Sequence, residues 1–407
     1  MRSGGSRLLI YSHDSFGLGH LRRCRAIAHH LVERYRDLSV LILSGSPIIG
    51  SFDFRSRVDF VRVPGVIKLR NGDYTSLKLR LGVEKTLEMR RSIIHHTAEI
   101  FEPDLFLVDK EPLGLRGEAR STLETLKAMG TRCVLGLRDV MDEPASLVEE
   151  WRRKGVFPAL DALYDDIWVF GLPEIFDPLA EVPGMAAFAG KTSFTGYLRR
   201  DASDPAGPLP EHAVPEGEFI LVTPGGGGDG EELIDWVIRA YEADPDLPHK
   251  ALVVFGPFMP AGRRAAFQAR VARDRRLSAI TFEARFEPLL ERAVGVVAMG
   301  GYNTFCEILS FGKPALLVPR TTPRLEQYLR AERAAGLGLA RMLANDGERD
   351  PARMAAALRE LPFGPRLRDG PQRAHYLGGL ERVAELAEPW LGPRGEATPR
   401  PRLSRYA

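Results

Sequence analysis

The stretch MGGYNTFCEILSFGKPALLVP, Met299–Pro319, joins two apolar runs through a pair of glycines and one short helix. Val294–Met299 precedes it as a strand, Gly312 and Pro314 stop the helix, and Ala315–Val318 begins the next strand. Thr304 and Glu307 stand three residues apart in the S/T-x-x-E pattern of a capping box, which offers Glu307 a purely structural task. Capping leaves Gly300 and Gly301 unexplained, because they remove side chains where a ligand would approach a helix start.

The same alternation extends through the chain. Apolar runs stand at Leu8–Ser12, Val40–Leu43, Leu105–Val108, Cys133–Leu137 and Ile167–Phe170, then at Phe219–Thr223, Ala251–Phe255, Ile280–Phe282, Val294–Met299 and Ala315–Val318. Short runs rich in Val, Ile and Leu, separated by helix-like stretches, predict buried parallel strands in a doubly wound α/β arrangement. With 407 residues the chain exceeds the roughly 250–300 that one core accommodates, so two domains are expected. The predicted division is a Rossmann-like domain over 1–196, a Pro- and Gly-rich linker over 197–217 and a second Rossmann-like domain over 218–373. A C-terminal helix over 374–391 and a disordered tail over 392–407 complete it. The two domains should face each other across a cleft, with ligands at the carboxyl ends of the strands.

Composition narrows the class. A formal charge of +2 argues against a dedicated nucleic-acid binder, and 44% apolar with 27% charged residues is ordinary for a globular protein. The three cysteines, Cys24, Cys133 and Cys306, form no CxxC pair, so neither a disulfide framework nor a cysteine metal site is expected. No run approaches the ~18 apolar residues of a membrane span and Met1–Arg7 has no secretory apolar core, so the expected location is the cytoplasm.

Three further turns carry candidate chemistry. Gly17-Leu18-Gly19-His20 opens a helix after the first strand, but Arg22 stands where a dinucleotide fingerprint needs its third glycine. What remains is a tight turn with free amides and with His20 aimed at the cleft; a helix-start histidine with a satisfied hydrogen bond is the plain alternative. Gly225, Gly226, Gly227 and Gly228 follow Pro224, with Asp229 and Glu232 placed to cap the next helix. Four glycines cost several tenths of a kcal/mol each relative to alanine, which close approach of a diphosphate would explain. Glu326 and Gln327 start the helix after the next strand and share one crevice with Glu307. Gly184–Thr192 imitates a phosphate-binding P-loop, but five residues separate its glycines where four are required, and no buried strand precedes it.

The segment "GGYNTFCEILSFGKPALLVP…EQYLRAERAAGLG", roughly Phe282 to Gly338, resembles the nucleotide-sugar signature of GT-B glycosyltransferases. Within that group it resembles family 28, the MurG-like enzymes. The glycine turns at 17–20 and 225–228 lie where that family has its own, and the whole chain is similar to a group of predicted glycosyltransferases. The resemblance implies an inverting, metal-independent transfer from a UDP-sugar, with no cofactor. It implies that Glu307 takes the ribose hydroxyls, and that Gly300, Gly301, Asn303 and Thr304 present the helix amino end to the diphosphate. Glu326 and Gln327 would hold the sugar, the backbone at Phe286 would read the base, and Gly225–Gly228 would line the phosphates from the other side.

The acceptor hydroxyl then needs a base from the first domain. His20 is the first candidate because imidazole titrates near neutral pH, with Asp109 and Asp139 in reserve; either aspartate could equally be a partner for Arg138 or a loop cap. "GLGHLRRC" is also similar to the N-terminal motif of the UDP-sugar hydrolase of pseudaminic acid synthesis, whose histidine activates water. A hydrolase or non-hydrolysing epimerase is therefore the alternative. The acceptor is expected to be lipid-linked or a polysaccharide. Lys68, Arg70, Lys78, Arg80, Lys85, Arg90 and Arg91 suggest peripheral contact with an anionic membrane, against the plainer reading of a solvated basic face.

Overall fold

The computed structural model describes residues 5–13, 19–68, 74–201, 214–226, 228–283, 286–345 and 347–393. Gly17, Gly227, Arg70, the centre of the linker and all but the first two residues of the tail lie outside them.

Among the described residues the strands form two parallel sheets and a small hairpin. The first sheet holds β1 (Arg7–Ser12), β2 (Ser39–Ser44), β3 (Val58–Arg62), β6 (Leu105–Asp109), β7 (Arg132–Arg138), β8 (Asp166–Phe170) and β9 (Thr192–Phe194), in the order 3-2-1-6-7-8-9. The hairpin pairs β4 (Val66–Lys68) with β5 (Tyr74–Ser76). The second sheet holds β10 (Phe219–Thr223), β11 (Lys250–Val254), β12 (Leu277–Ile280), β13 (Gly295–Ala298), β14 (Ala315–Leu317) and β15 (Arg341–Met342), in the order 12-11-10-13-14-15. Each is the doubly wound arrangement in which the strand order reverses beside the first strand. The reversals fall between β1 and β6 and between β10 and β13, so the loops after these four strands border the two crevices.

Burial explains the elements. In β6 and β10 every residue is buried, as both-faced coverage by helices requires. The helix Gly19–Arg34 turns Leu21, Cys24, Ala28 and Leu31 to the core at steps of three and four. One hydrophobic core runs through both halves, taking Leu9 and Phe106 from the first sheet and Leu221, Val296 and Phe305 from the second half.

Several expectations change. The start of the expected linker is packed: Tyr197 and Leu198 are buried, and Leu198 bridges to Gly378. The expected helix 374–391 is two helices, Pro371–Leu377 and Gly379–Leu391, parted at Gly378. The second crosses back to the first half, where Ser6 Oγ donates to the Leu391 carbonyl at 2.8 Å and Tyr35 Oη to the Ala384 carbonyl at 2.7 Å. Arg90, expected on a basic face, is instead buried and donates to Glu118 from Nε at 2.7 Å. The imitation P-loop is a run of 3-10 turns ahead of β9, and Lys191 Nζ binds the carbonyls of Leu160 and Tyr164 at 2.7 and 3.0 Å. Among the described residues no helix is long and apolar enough to cross a membrane.

Candidate active site

His20 and Asp109 come from opposite sides of the first reversal, one in the opening turn of the helix after β1, the other ending β6. His20 Nδ1 lies 2.5 Å from Asp109 Oδ2, and Arg23, one turn further along the same helix, donates to both carboxylate oxygens at 2.7 Å. Burial works to raise the Asp109 pKa, but the Arg23 and His20 charges overcome it and hold the carboxyl well below its usual range. An ionised carboxylate only accepts, so Nδ1 carries the imidazole proton and Nε2 the lone pair. Burial lowers the His20 pKa and Asp109 pulls it partly back, which keeps the ring neutral and basic near pH 7. The His13 ring stands edge-on to His20 at 5.6 Å.

Asp139, the other reserve base, is excluded by its surroundings. It is fully buried, receives Arg330 Nη2 and Nε at 2.6 and 2.8 Å, and accepts from Tyr197 Oη at 2.9 Å. A carboxylate so enclosed cannot meet an acceptor hydroxyl. Neither aspartate pairs with Arg138, whose guanidinium reaches across to Glu326.

On the facing side the helix Tyr302–Ser310 begins at Gly301, with no side-chain cap. The capping box at Thr304 and Glu307 is therefore not formed: the chain enters the helix two residues before Thr304, after Gly300 turns it at a φ of 78°. A Cβ on Gly301 or Gly225 would meet nothing within 4 Å, so both backbones face open space. Gly226 is half-buried beside Phe258, and Gly228 is exposed. The next helix, Glu231–Ala243, also lacks its expected cap: Asp229 turns to Arg320 at 2.7 Å, and Glu232 to Asn345 at 3.1 Å and to Arg349.

Asn303 ties the two sides together. Its Nδ2 donates to the Gly19 carbonyl at 2.8 Å and its Oδ1 accepts from Arg200 at 3.0 Å. One turn on, Arg22 Nη2 stands 2.7 Å from Glu307 Oε1, so the helices Gly19–Arg34 and Tyr302–Ser310 run side by side with their amino ends together. Each such end carries about half a positive charge, and the pair favours an anion between them. The Arg22 guanidinium is out of line for a hydrogen bond, and neither oxygen of Glu307 accepts one among the described residues. Burial pushes the Glu307 pKa up to about 7, against the lowering effect of Arg22.

Glu326 and Gln327 begin the helix Glu326–Gly336 near the same crevice. Burial would raise the Glu326 pKa, but Arg138, Lys110, Arg330 and Arg320 hold it at about 2. Gln327 Oε1 accepts from the Arg320 amide at 3.3 Å. Phe286 is buried at the start of the helix Glu287–Arg292, and Thr304 is half-buried. Thus Asn303 and Glu307 meet Gly19 and Arg22 beside the His20–Asp109 pair, Gly300, Gly301 and Thr304 lie at the same helix start, and Glu326, with Gln327 next to it, meets Arg138, whereas Asp139 is structural. Sequence reasoning passed over Arg23, His13 and Lys110. The signal for Arg23 was its place one turn after His20; for His13 and Lys110 it was position just beyond a strand's carboxyl end. A cavity of about 740 Å³, lined by Arg292, Lys313, Arg366 and Arg373 among others, opens at the opposite, amino edge of the second sheet, away from this constellation.

Two Rossmann-like sheets whose reversals face one another make the GT-B architecture, and this chain has that fold. Residues 258–371 match the family model described as glycosyltransferase family 28 C-terminal domain, so the second half carries that domain. No curated protein sequence matches the chain significantly. Among solved structures, the kitacinnamycin glycosyltransferase is similar over 96% of this chain and 100% of its own, with a TM-score of 0.62 at 18% identity. Acinetobacter baumannii MurG is similar over 95% and 99%, with a TM-score of 0.58 at 13% identity. S. aureus MnaA, solved with UDP, is similar over 93% and 92%, with a TM-score of 0.58 at 13% identity.

Proposed function

We propose that the protein moves a sugar from a UDP-sugar to an acceptor hydroxyl, with inversion and without a bound metal. One observation supports the reading: His20, paired with Asp109, follows Gly19, whose carbonyl accepts from Asn303 in the first turn of the helix Tyr302–Ser310, itself without a side-chain cap. His20 Nε2 takes the proton from the attacking hydroxyl while Asp109, fixed by Arg23, stabilises the imidazolium. The departing diphosphate gathers its charge at the two amino ends and at the bare backbones of Gly301 and Gly225, where preorganised amides act most strongly. Glu307 receives the ribose hydroxyls. The Phe286 carbonyl already accepts from Leu289 and Leu290, so in this reading it is the backbone amide that meets a base carbonyl. Glu326 and Gln327 hold the sugar, with Arg138 fixing the Glu326 carboxylate.

The test joins a thermal-shift measurement to UDP release in the presence of lipid-linked and polysaccharide acceptors. UDP should stabilise wild type and His20→Ala alike and fail to stabilise Glu307→Ala. Release should depend on acceptor and fall about 10²–10⁴-fold in His20→Ala. Equal UDP stabilisation of the Glu307 variant rejects the donor site, and acceptor-independent release of UDP makes the enzyme a hydrolase.

The acceptor side favours a lipid surface. Lys78, Arg80, Lys85 and Arg91 are exposed beside Leu79, Leu81 and Met89, themselves 44%, 43% and 37% exposed. Basic attraction with modest apolar insertion is the chemistry of a peripheral contact. Flotation with anionic vesicles should exceed that with neutral ones; equal flotation rejects the contact.

A further inference from the structure

Arg22 occupies the face of Glu307 that the ribose requires. Besides the 2.7 Å approach to Glu307, its Nη2 lies 3.5 Å from Glu287, and its Cζ stands 5.9 Å from the centre of the Phe286 ring, beside the assigned base position. Glu307 is 0% exposed, so solvent does not reach its carboxylate. The arrangement is poor for both partners, because a buried carboxylate gains most from several aligned donors and here its nearest cation is misaligned.

A better place for the guanidinium lies close by. Arg22 sits one turn, about 5 Å, along its helix from Gly19, whose carbonyl marks the paired amino ends. An arginine side chain can swing that far while its stem stays on the same helix face.

We propose that Arg22 is a two-position cation that pairs with Glu307 in one state and with the donor's diphosphate in the other, changing place when the ribose hydroxyls take Glu307. This rests on the donor site argued above. The exchange replaces one misaligned ion pair with two hydroxyl donors to Glu307, and it delivers a fork of N–H groups from the first sheet's helix to the phosphates. Arg200, whose Nη2 binds Asn303 and whose charge also acts on Glu307, keeps a second cation near the carboxylate throughout. The residue that leaves Glu307 thereby carries the first half's charge to the ligand held by the second.

Uridine and UDP separate the two positions, because only UDP carries the diphosphate. Calorimetric titration of wild type, Arg22→Met and Arg22→Lys with each should show uridine binding Arg22→Met more tightly than wild type, since no cation competes for Glu307. The preference for UDP over uridine should fall at least about 10-fold in Arg22→Met, the size of one charge-assisted hydrogen bond, and stay within a few fold of wild type in Arg22→Lys. Uridine affinity unchanged or weakened in Arg22→Met overturns the competition, and an unchanged preference for UDP overturns the second position. A wild-type protein that binds neither ligand removes the donor site itself, and with it the exchange. Should Arg22→Met not fold, Arg22→Gln gives the same two comparisons.

Discussion

At the scale of single residues, Asp109 and Glu307 are held in opposite states by opposite surroundings. Asp109 meets both nitrogens of a forked guanidinium and stays ionised, whereas Glu307 meets one guanidinium off its lone-pair direction and has its pKa raised by burial to about 7. The sign of the stability effect follows. In the unfolded chain Glu307 loses its proton near the ordinary 4.5, so between that value and about 7 the folded state holds the extra proton and stability falls as pH rises. Glu307→Gln carries no such proton, so its stability relative to wild type should grow from about pH 5 to about pH 8, by at most about 3 kcal/mol. Denaturant unfolding at four pH values measures it; a constant difference would mean that Glu307 ionises in place as readily as in water.

At the scale of elements, the helix Tyr302–Ser310 matters for its uncapped start. Gly301 precedes it with ordinary φ and no neighbour at its Cβ position, so a side chain there disturbs no packing. Asn is a better cap than Gly, and in Gly301→Asn its side chain would bond the first-turn amides that a diphosphate needs. The variant should keep or slightly raise the melting temperature while losing UDP affinity about 10-fold or more; unchanged UDP affinity would place the diphosphate elsewhere. The misread capping box shows where sequence legibility ended. Thr304 and Glu307 have the right spacing, but the helix starts at Tyr302, after Gly300 at positive φ, and Glu307 lies buried beside Arg22 rather than back over the first turn. The interior strands were legible because both faces are apolar. The edge strand β3, with its mixed burial, and the two- and three-residue strands β15 and β9 were not, because their pattern resembles loop. The His20–Asp109 pair was legible only as two separate candidates: 89 residues divide them, and the pairing of β1 with β6 that joins them appears in no local pattern.

At the scale of the whole molecule, the halves are joined by buried charge as well as by a shared core. Asp139 follows the first sheet's β7, Arg330 lies in a helix of the second half, both are fully buried, and Arg330 Nη1 also donates to the Gly300 carbonyl at 2.9 Å. The pair therefore connects the contact between halves to the glycine turn that opens the donor helix. Removing one partner strands the other charge, at a cost of about 3–5 kcal/mol, whereas replacing both with neutral groups of similar volume returns much of that loss. Asp139→Asn keeps the acceptor for Tyr197 Oη but leaves Arg330 without its counter-charge, so unfolding should shift strongly to lower denaturant. Adding Arg330→Met to it should recover part of the stability while leaving UDP affinity reduced, because the Gly300 carbonyl has still lost its donor. A double-mutant cycle by chemical unfolding, with UDP titrations on all four proteins, separates the two roles. If the single and double variants lose equal stability, the pair acts only as packing; if UDP affinity follows stability throughout, Arg330 holds the halves together without shaping the site.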